Sequence, residues 1–128
     1  MSVFERKNPL AVVAAFSAAF DEGEGPILVI KTINGDRLRT DRERLRAACS
    51  VRRDIFLLEE YLPGQVVKSL MADATAYVSL HRSEGYGLTM AEAMTLGVPV
   101  VATGYSGNVD FMNSTTKVWP CCRISTPI

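Results

Sequence analysis

Apolar positions along the chain fall into short continuous runs that alternate with helix-like segments. Leu10 to Phe20 is apolar and Ala-rich. Asn8-Pro9 ahead of it makes a helix start, because an Asn side chain accepts from free backbone amides and proline at the first helical position sacrifices no hydrogen bond. The segment reads as a buried helix, broken by Glu24-Gly25-Pro26. Ile27 to Lys31 is a β-branched and aliphatic run of the kind buried on both faces of a parallel sheet. Thr40-Asp41-Arg42-Glu43 has the form of a capping box and opens a helix through about Ser50, and Ile55 to Leu58 is a second strand. Pro63-Gly64 turns the chain into a helix ending near Met71, and Ala74 to Leu80 supplies a third strand. Thr89 to Leu96 is helical, with Gly97 placed to stop it in a left-handed conformation before a fourth strand at Val100 to Ala102.

Strands separated by helices require crossover connections, which put helices on both faces of a parallel sheet. The fold class is α/β, with four parallel strands expected in one doubly wound sheet. Such a unit opens with a strand, whereas this pattern opens with a helix, so the first strand is expected to be absent. Residues 1–113 read as the domain and 114–128 as an irregular tail, with Lys117 to Trp119 at most a short strand.

Composition narrows the function. With 128 residues, 48% of them hydrophobic and 22% charged, the chain suits one globular domain. Fourteen basic side chains cancel fourteen acidic ones, so no large positive field favours nucleic acid. The arginines at 37, 39, 42, 44 and 46 are interleaved with Asp36, Asp41 and Glu43 and read as a solvated helix face. Cys49, Cys121 and Cys122 form neither a disulfide framework nor a zinc pattern, which fits a reducing, cytoplasmic setting. The apolar run after Arg6 and Lys7 is too short to span a bilayer, so no transmembrane segment is expected.

The candidate chemistry lies beyond the carboxyl ends of the last two strands, where open α/β sheets bind ligands. The stretch His81-Arg82-Ser83-Glu84-Gly85-Tyr86-Gly87-Leu88 runs into a helix N-terminus, and Thr103-Gly104-Tyr105-Ser106-Gly107-Asn108 precedes a short helix from about Val109. Glycines let the backbone approach a ligand, and free amides at a helix start favour phosphate. Glu84 and Glu92 stand eight apart, and carboxylates accept from the vicinal hydroxyls of sugars and riboses. Thr89 and Glu92 also have capping-box spacing. His81 has no partner nucleophile and reads as a satisfied structural residue. No metal-ligand spacing is present, and no metal or cofactor is expected.

The run from His81 through Met94, followed by Gly97-Val98-Pro99-Val100-Val101-Ala102-Thr103, resembles the donor-binding signature of retaining GT-B glycosyltransferases of the Glu-x7-Glu group. The resemblance is dense from about Asp54 to Met112 and extends to Arg6-Lys7-Asn8-Pro9 through Phe20. It implies one Rossmann-like half of a GT-B fold, and a hexose transferred with retention from a UDP- or GDP-sugar donor. By this match Glu92 binds the ribose, while Glu84 contacts the donor sugar and is the catalytic candidate. Lys7 and the amides near Gly87 and Leu88 hold the diphosphate, Gly85, Tyr86 and Thr89 complete the donor-contacting stretch, and Ser106, Gly107 and Asn108 line the sugar side. The arginine that usually precedes the lysine by about five positions falls at Ser2. The acceptor-binding N-terminal domain is not part of the pattern, so the chain is expected to be inactive alone and to associate with itself or with that missing domain. A non-catalytic nucleotide-sugar-binding module, or half of a nucleotide-sugar epimerase, are the alternatives.

Overall fold

A computed structural model describes residues 3–33 and 39–112. The elements are α1 (Val3–Lys7), α2 (Pro9–Ala19), β1 (Leu28–Lys31), α3 (Arg39–Ser50), β2 (Ile55–Leu58), α4 (Gly64–Ala72), β3 (Tyr77–Ser79), α5 (Leu88–Thr95), β4 (Val100–Ala102) and a 3-10 turn at Gly107–Asp110. Ser2, Asp36, Arg37, Cys121, Cys122, the Lys117 to Trp119 segment and the rest of the 114–128 tail lie outside the described residues. The described residues fall into two compact units, one drawn from 9–62 and the other from 1–8 with 63–128.

In the 9–62 unit, β1 and β2 run parallel with Leu28 opposite Ile55 and Lys31 opposite Leu58. The helices α2 and α3 pack against each other as well as against the strands, so they cover the same face of the ladder. Leu45 and Cys49, four apart on α3 and therefore on one face, are buried with Val13 and Ile55. Phe56 points the other way and is exposed, and the run Ile27 to Lys31, expected to be buried on both faces, is only half-buried along β1 with Ile27 exposed. The expected buried helix is also corrected. In α2 only Val13 is buried, while Ala14, Ala15, Ser17, Ala18 and Ala19 are exposed. A helix apolar all round carries no period to say which face packs, and only the face toward β1 and α3 has partners.

Ion pairs fix the ends of this unit. Arg52 grips Asp54 with two hydrogen bonds, at 2.8 and 2.7 Å. Its Nη1 also donates to the Phe20 carbonyl at 2.7 Å, and its guanidinium lies 5.0 Å over the Phe16 ring. The Arg52 hydrogen bonds outweigh burial and hold the Asp54 carboxyl down at about 2. Arg42 and Arg46, one turn apart on α3, each donate to one oxygen of Glu59 at 2.6 Å, which gives part of the arginine-rich stretch an intramolecular partner. Helix α3 begins at Arg39, so Thr40 sits within its first turn rather than ahead of it as the capping box requires.

The other unit is built on β3 and β4, parallel with Tyr77 opposite Val100 and Ser79 opposite Ala102. Its core is Met90 and Ala93 from α5 with Val98, Val100 and Ala102, flanked by Met71, Tyr77 and Phe111. Strand β3 is shorter than the run Ala74 to Leu80 because the Ala74 amide is bonded to the Met71 carbonyl, in the turn that ends α4, and β4 offers only three residues to pair. Gly97 ends α5 at φ +76°, with its amide on the Met94 carbonyl and the Val98 amide on that of Ala93, the paired closure that a left-handed glycine makes possible.

The four strands thus form two two-stranded parallel ladders instead of the single sheet expected. In the usual doubly wound order the strand that comes first in sequence pairs with both the second and the fourth. Among the described residues no strand precedes α2, and the two ladders share none.

Candidate functional site

Every candidate site residue belongs to the unit of 1–8 and 63–128. The loop after β3 enters α5 through Gly87, which caps the helix in a left-handed conformation at φ +87°. A Cβ at Gly87 would stand 2.7 Å from Met90 Cε and 3.3 Å from Asn108 Cβ, so conformation and space both require glycine. No side-chain hydrogen bond caps the start of α5. The capping-box reading of Thr89 and Glu92 is corrected. Thr89 lies inside the helix, and its hydroxyl accepts from that of Tyr77 at 3.0 Å. Leu88 and Tyr86 are exposed, Tyr86 with its ring 5.2 Å from that of Phe111.

The loop after β4 is clasped to this one through backbone. Ser106 adopts φ +79° and ψ −157°, a region that almost only glycine occupies, and both polar bonds of its hydroxyl explain how it is held there. The Oγ donates to the Glu84 carbonyl at 2.5 Å and accepts from the Glu84 amide at 3.2 Å. The Gly107 amide donates to the same carbonyl at 3.1 Å, and a Cβ on Gly107 would fall 1.6 Å from the Gly85 carbonyl oxygen.

Beneath the loops, His81 and Asn108 are each 1% exposed. The Asn108 Nδ2 donates to the Thr103 carbonyl at 3.0 Å, which turns its Oδ1 toward His81. His81 Nε2 therefore faces two acceptors, the Tyr105 carbonyl at 3.0 Å and Asn108 Oδ1 at 3.1 Å, and must carry a hydrogen. Its Nδ1 is 3.0 Å from Ser79 Oγ. Both nitrogens are engaged by protein, and His81 is a structural tie between the two loops. Asn108 acts in the same way, since its buried amide holds the loop and leaves the Ser106-Gly107 backbone to form the surface.

Glu84 meets two cations. Lys7 Nζ ion-pairs with its Oε2, and Arg6 Nη1 lies 3.3 Å from the same oxygen. Three further bonds pin α1 to the loop. The Arg82 amide donates to the Arg6 carbonyl at 2.8 Å, Arg6 Nη1 to the Ser83 carbonyl at 3.3 Å, and Asn8 Nδ2 to the Leu80 carbonyl at 3.0 Å. Asn8 itself is left-handed at φ +51°, so its side chain serves this tie as the chain turns from α1 into α2. Burial pushes the Glu84 carboxyl up, but Lys7 and Arg6 outweigh it and hold the group below the usual carboxylate range. Glu92 lies elsewhere on the same unit. It is 3.8 Å from Lys68 and lines a cavity of about 420 Å³ with Gly64, Gln65, Val67, Lys68 and Met71.

A family model for glycosyl transferases group 1 matches residues 2–117. The chain belongs to that family. No curated protein matches the chain.

In this group 1 glycosyl transferase the matched residues include both loops, both glutamates and the Arg6-Lys7 pair. The structure brings Lys7, Glu84, Ser106 and Gly107 together and sets Glu92 apart beside Lys68. Sequence reasoning passed over Arg6, although a second cation next to Lys7 just before Asn-Pro was the signal that could have found it. It also passed over Lys68, whose place opposite Glu92 depends on how α4 packs. Among the described residues, no three His, Cys, Asp or Glu side chains are grouped to hold a metal ion, and no helix is long and apolar enough to cross a membrane.

Proposed function

We propose that this group 1 glycosyl transferase binds a nucleotide-sugar donor, UDP- or GDP-linked, and serves the transfer of its hexose with retention of configuration. The observation that carries the reading is the convergence of Lys7, Glu84 and the Ser106-Gly107 backbone at an α5 amino end that no side chain caps. In this reading the nucleoside lies in the Glu92 cavity with its ribose hydroxyls donating to the carboxylate, and the diphosphate lies at the start of α5 beside Lys7. The sugar then faces Glu84 and the Ser106-Gly107 turn.

As the bond from the anomeric carbon to the diphosphate breaks, negative charge develops on the leaving oxygen. A fixed ammonium and helix amides stabilise that charge without having to reorganise. Glu84 accepts from sugar hydroxyls and favours positive charge at the anomeric carbon. The acceptor enters from a second Rossmann-like domain, which completes a GT-B architecture. The reaction is proposed to take place in the cytoplasm.

Calorimetry with UDP, GDP, UDP-glucose and GDP-mannose tests the reading. Removing a hydrogen bond to a charged group costs about 1.5–3 kcal/mol, so Glu92→Ala should weaken nucleotide and nucleotide-sugar by about tenfold or more. Glu84→Ala should reduce the preference for the sugar-bearing form over the bare nucleotide. A folded parent chain that binds none of the four overturns the proposal. Release of nucleoside diphosphate from the donor, alone or with an added acceptor domain, separates a transferase from a binding module.

A further inference from the structure

Two cations share one carboxylate at the loop after β3. Glu84 is the inner member, with 11% of its side chain exposed, whereas Arg6 and Lys7 keep 31% and 39% exposed. One negative charge against two positive ones leaves the cluster under-neutralised, and the amino end of α5 adds a further partial positive charge. Arg6 Nη1 reaches both the Ser83 carbonyl and Glu84 Oε2 at 3.3 Å. The partly exposed guanidinium is a planar fork of donors, a shape suited to two oxygens of a phosphate. Its position is not left to a flexible side chain alone, because the Arg6 carbonyl is bonded to the Arg82 amide and Asn8 to Leu80.

Taken with the donor-site reading, on which it rests, this arrangement poses an electrostatic problem. A diphosphate placed beside Lys7 would meet the Glu84 carboxylate, and two like charges at close range repel. The repulsion disappears when the cations change partner. We infer that Arg6 and Lys7 together bind the donor diphosphate, and that Glu84 is the internal anion that holds both of them until the diphosphate takes its place. The exchange frees the Glu84 carboxylate to accept from sugar hydroxyls, so the sugar contact forms only after the diphosphate has been captured. A bare nucleoside diphosphate also breaks the two ion pairs but supplies no sugar hydroxyls in return. Glu84 thus acts against the product and for the donor.

The test is calorimetric titration of the full chain with UDP, GDP and the corresponding nucleotide sugars, with circular dichroism to check that each variant folds. Partly exposed ion pairs are weak, so Glu84→Gln, which keeps shape and removes charge, should bind the bare diphosphate about threefold to tenfold more tightly than the parent. Its preference for the sugar-bearing form should fall. A residue needed only for structure would move the first affinity in the opposite direction. Arg6→Gln should weaken binding of both ligands by about tenfold, and Arg6→Lys, which keeps charge but loses the fork, should recover part of that loss.

If the parent binds but Glu84→Gln fails to tighten the bare diphosphate, or Arg6→Gln stays within about twofold of the parent, the exchange is overturned and the donor site stands. If the folded parent binds no nucleoside diphosphate, the donor-site reading falls and the exchange with it. Should Arg6→Gln not fold, the Glu84→Gln result and Arg6→Lys decide the matter by the same criteria.

Discussion

Ser106 and Gly107 show how single residues set the wall of the candidate site. Ser106 occupies a backbone region that costs on the order of 1–3 kcal/mol, and its hydroxyl, donating to the Glu84 carbonyl and accepting from the Glu84 amide, holds it there. Gly107 is needed for a different reason, since any Cβ would overlap the Gly85 carbonyl. Gly107→Ala is therefore expected to force the two loops apart, weaken nucleotide-sugar binding by about tenfold or more, and lower stability by about 1–3 kcal/mol. Calorimetry and denaturant unfolding check the two parts. Much at this scale was legible in the sequence. The glycines and the two glutamates stood out by type and spacing, Lys7 came only from the family resemblance, and His81 read as structural. Arg6 was overlooked although it stands next to Lys7 in the sequence, and the buried role of Asn108 was not legible, because a partner 27 residues away leaves no local pattern.

Short elements here depend on their ends as much as on their runs. The start of β2 and the end of α2 are joined through Arg52, which bonds to Asp54 and to the Phe20 carbonyl. Because Asp54 titrates at about 2 when folded, against an ordinary value of 3.8, its ionised form favours the folded state. That contribution is complete above the unfolded value, and it is lost as pH falls through about 4 and then through the folded value near 2. The melting temperature followed by circular dichroism should fall over this window in the parent chain. Arg52→Gln should melt lower near neutral pH and show a shallower decline in acid, and an equally steep decline would show that the clamp is not its source. The ends also explain where the pattern misled. Both Ser/Thr-x-x-Glu sequences lie inside their helices, since Gly87 opens α5 by conformation and α3 has begun by Arg39.

At the scale of the whole molecule, apolar surface remains uncovered. Phe20, Ile27, Ile33, Phe56 and Val78 are exposed, as are Ala14, Ala15, Ala18 and Ala19 of α2. Such surface favours association, so the chain is expected to sediment as a dimer or larger species at micromolar concentration, or to bind a complementary domain. A monomer in analytical ultracentrifugation, with no shift on adding an acceptor-domain partner, would count against this. Family membership and the α/β alternation were written in the sequence, because glycine loops, helix stops and apolar runs are local features whose physics needs only neighbouring residues. The stop at Gly97, the entry at Pro63 and the strands at Ile55 to Leu58 and Val100 to Ala102 appeared where the pattern put them. Which strands hydrogen-bond, which face of a uniformly apolar helix packs, and which cations meet Glu84 were decided only by tertiary structure. Each depends on groups far apart along the chain, and a pattern of neighbours carries no information about distances that folding alone sets.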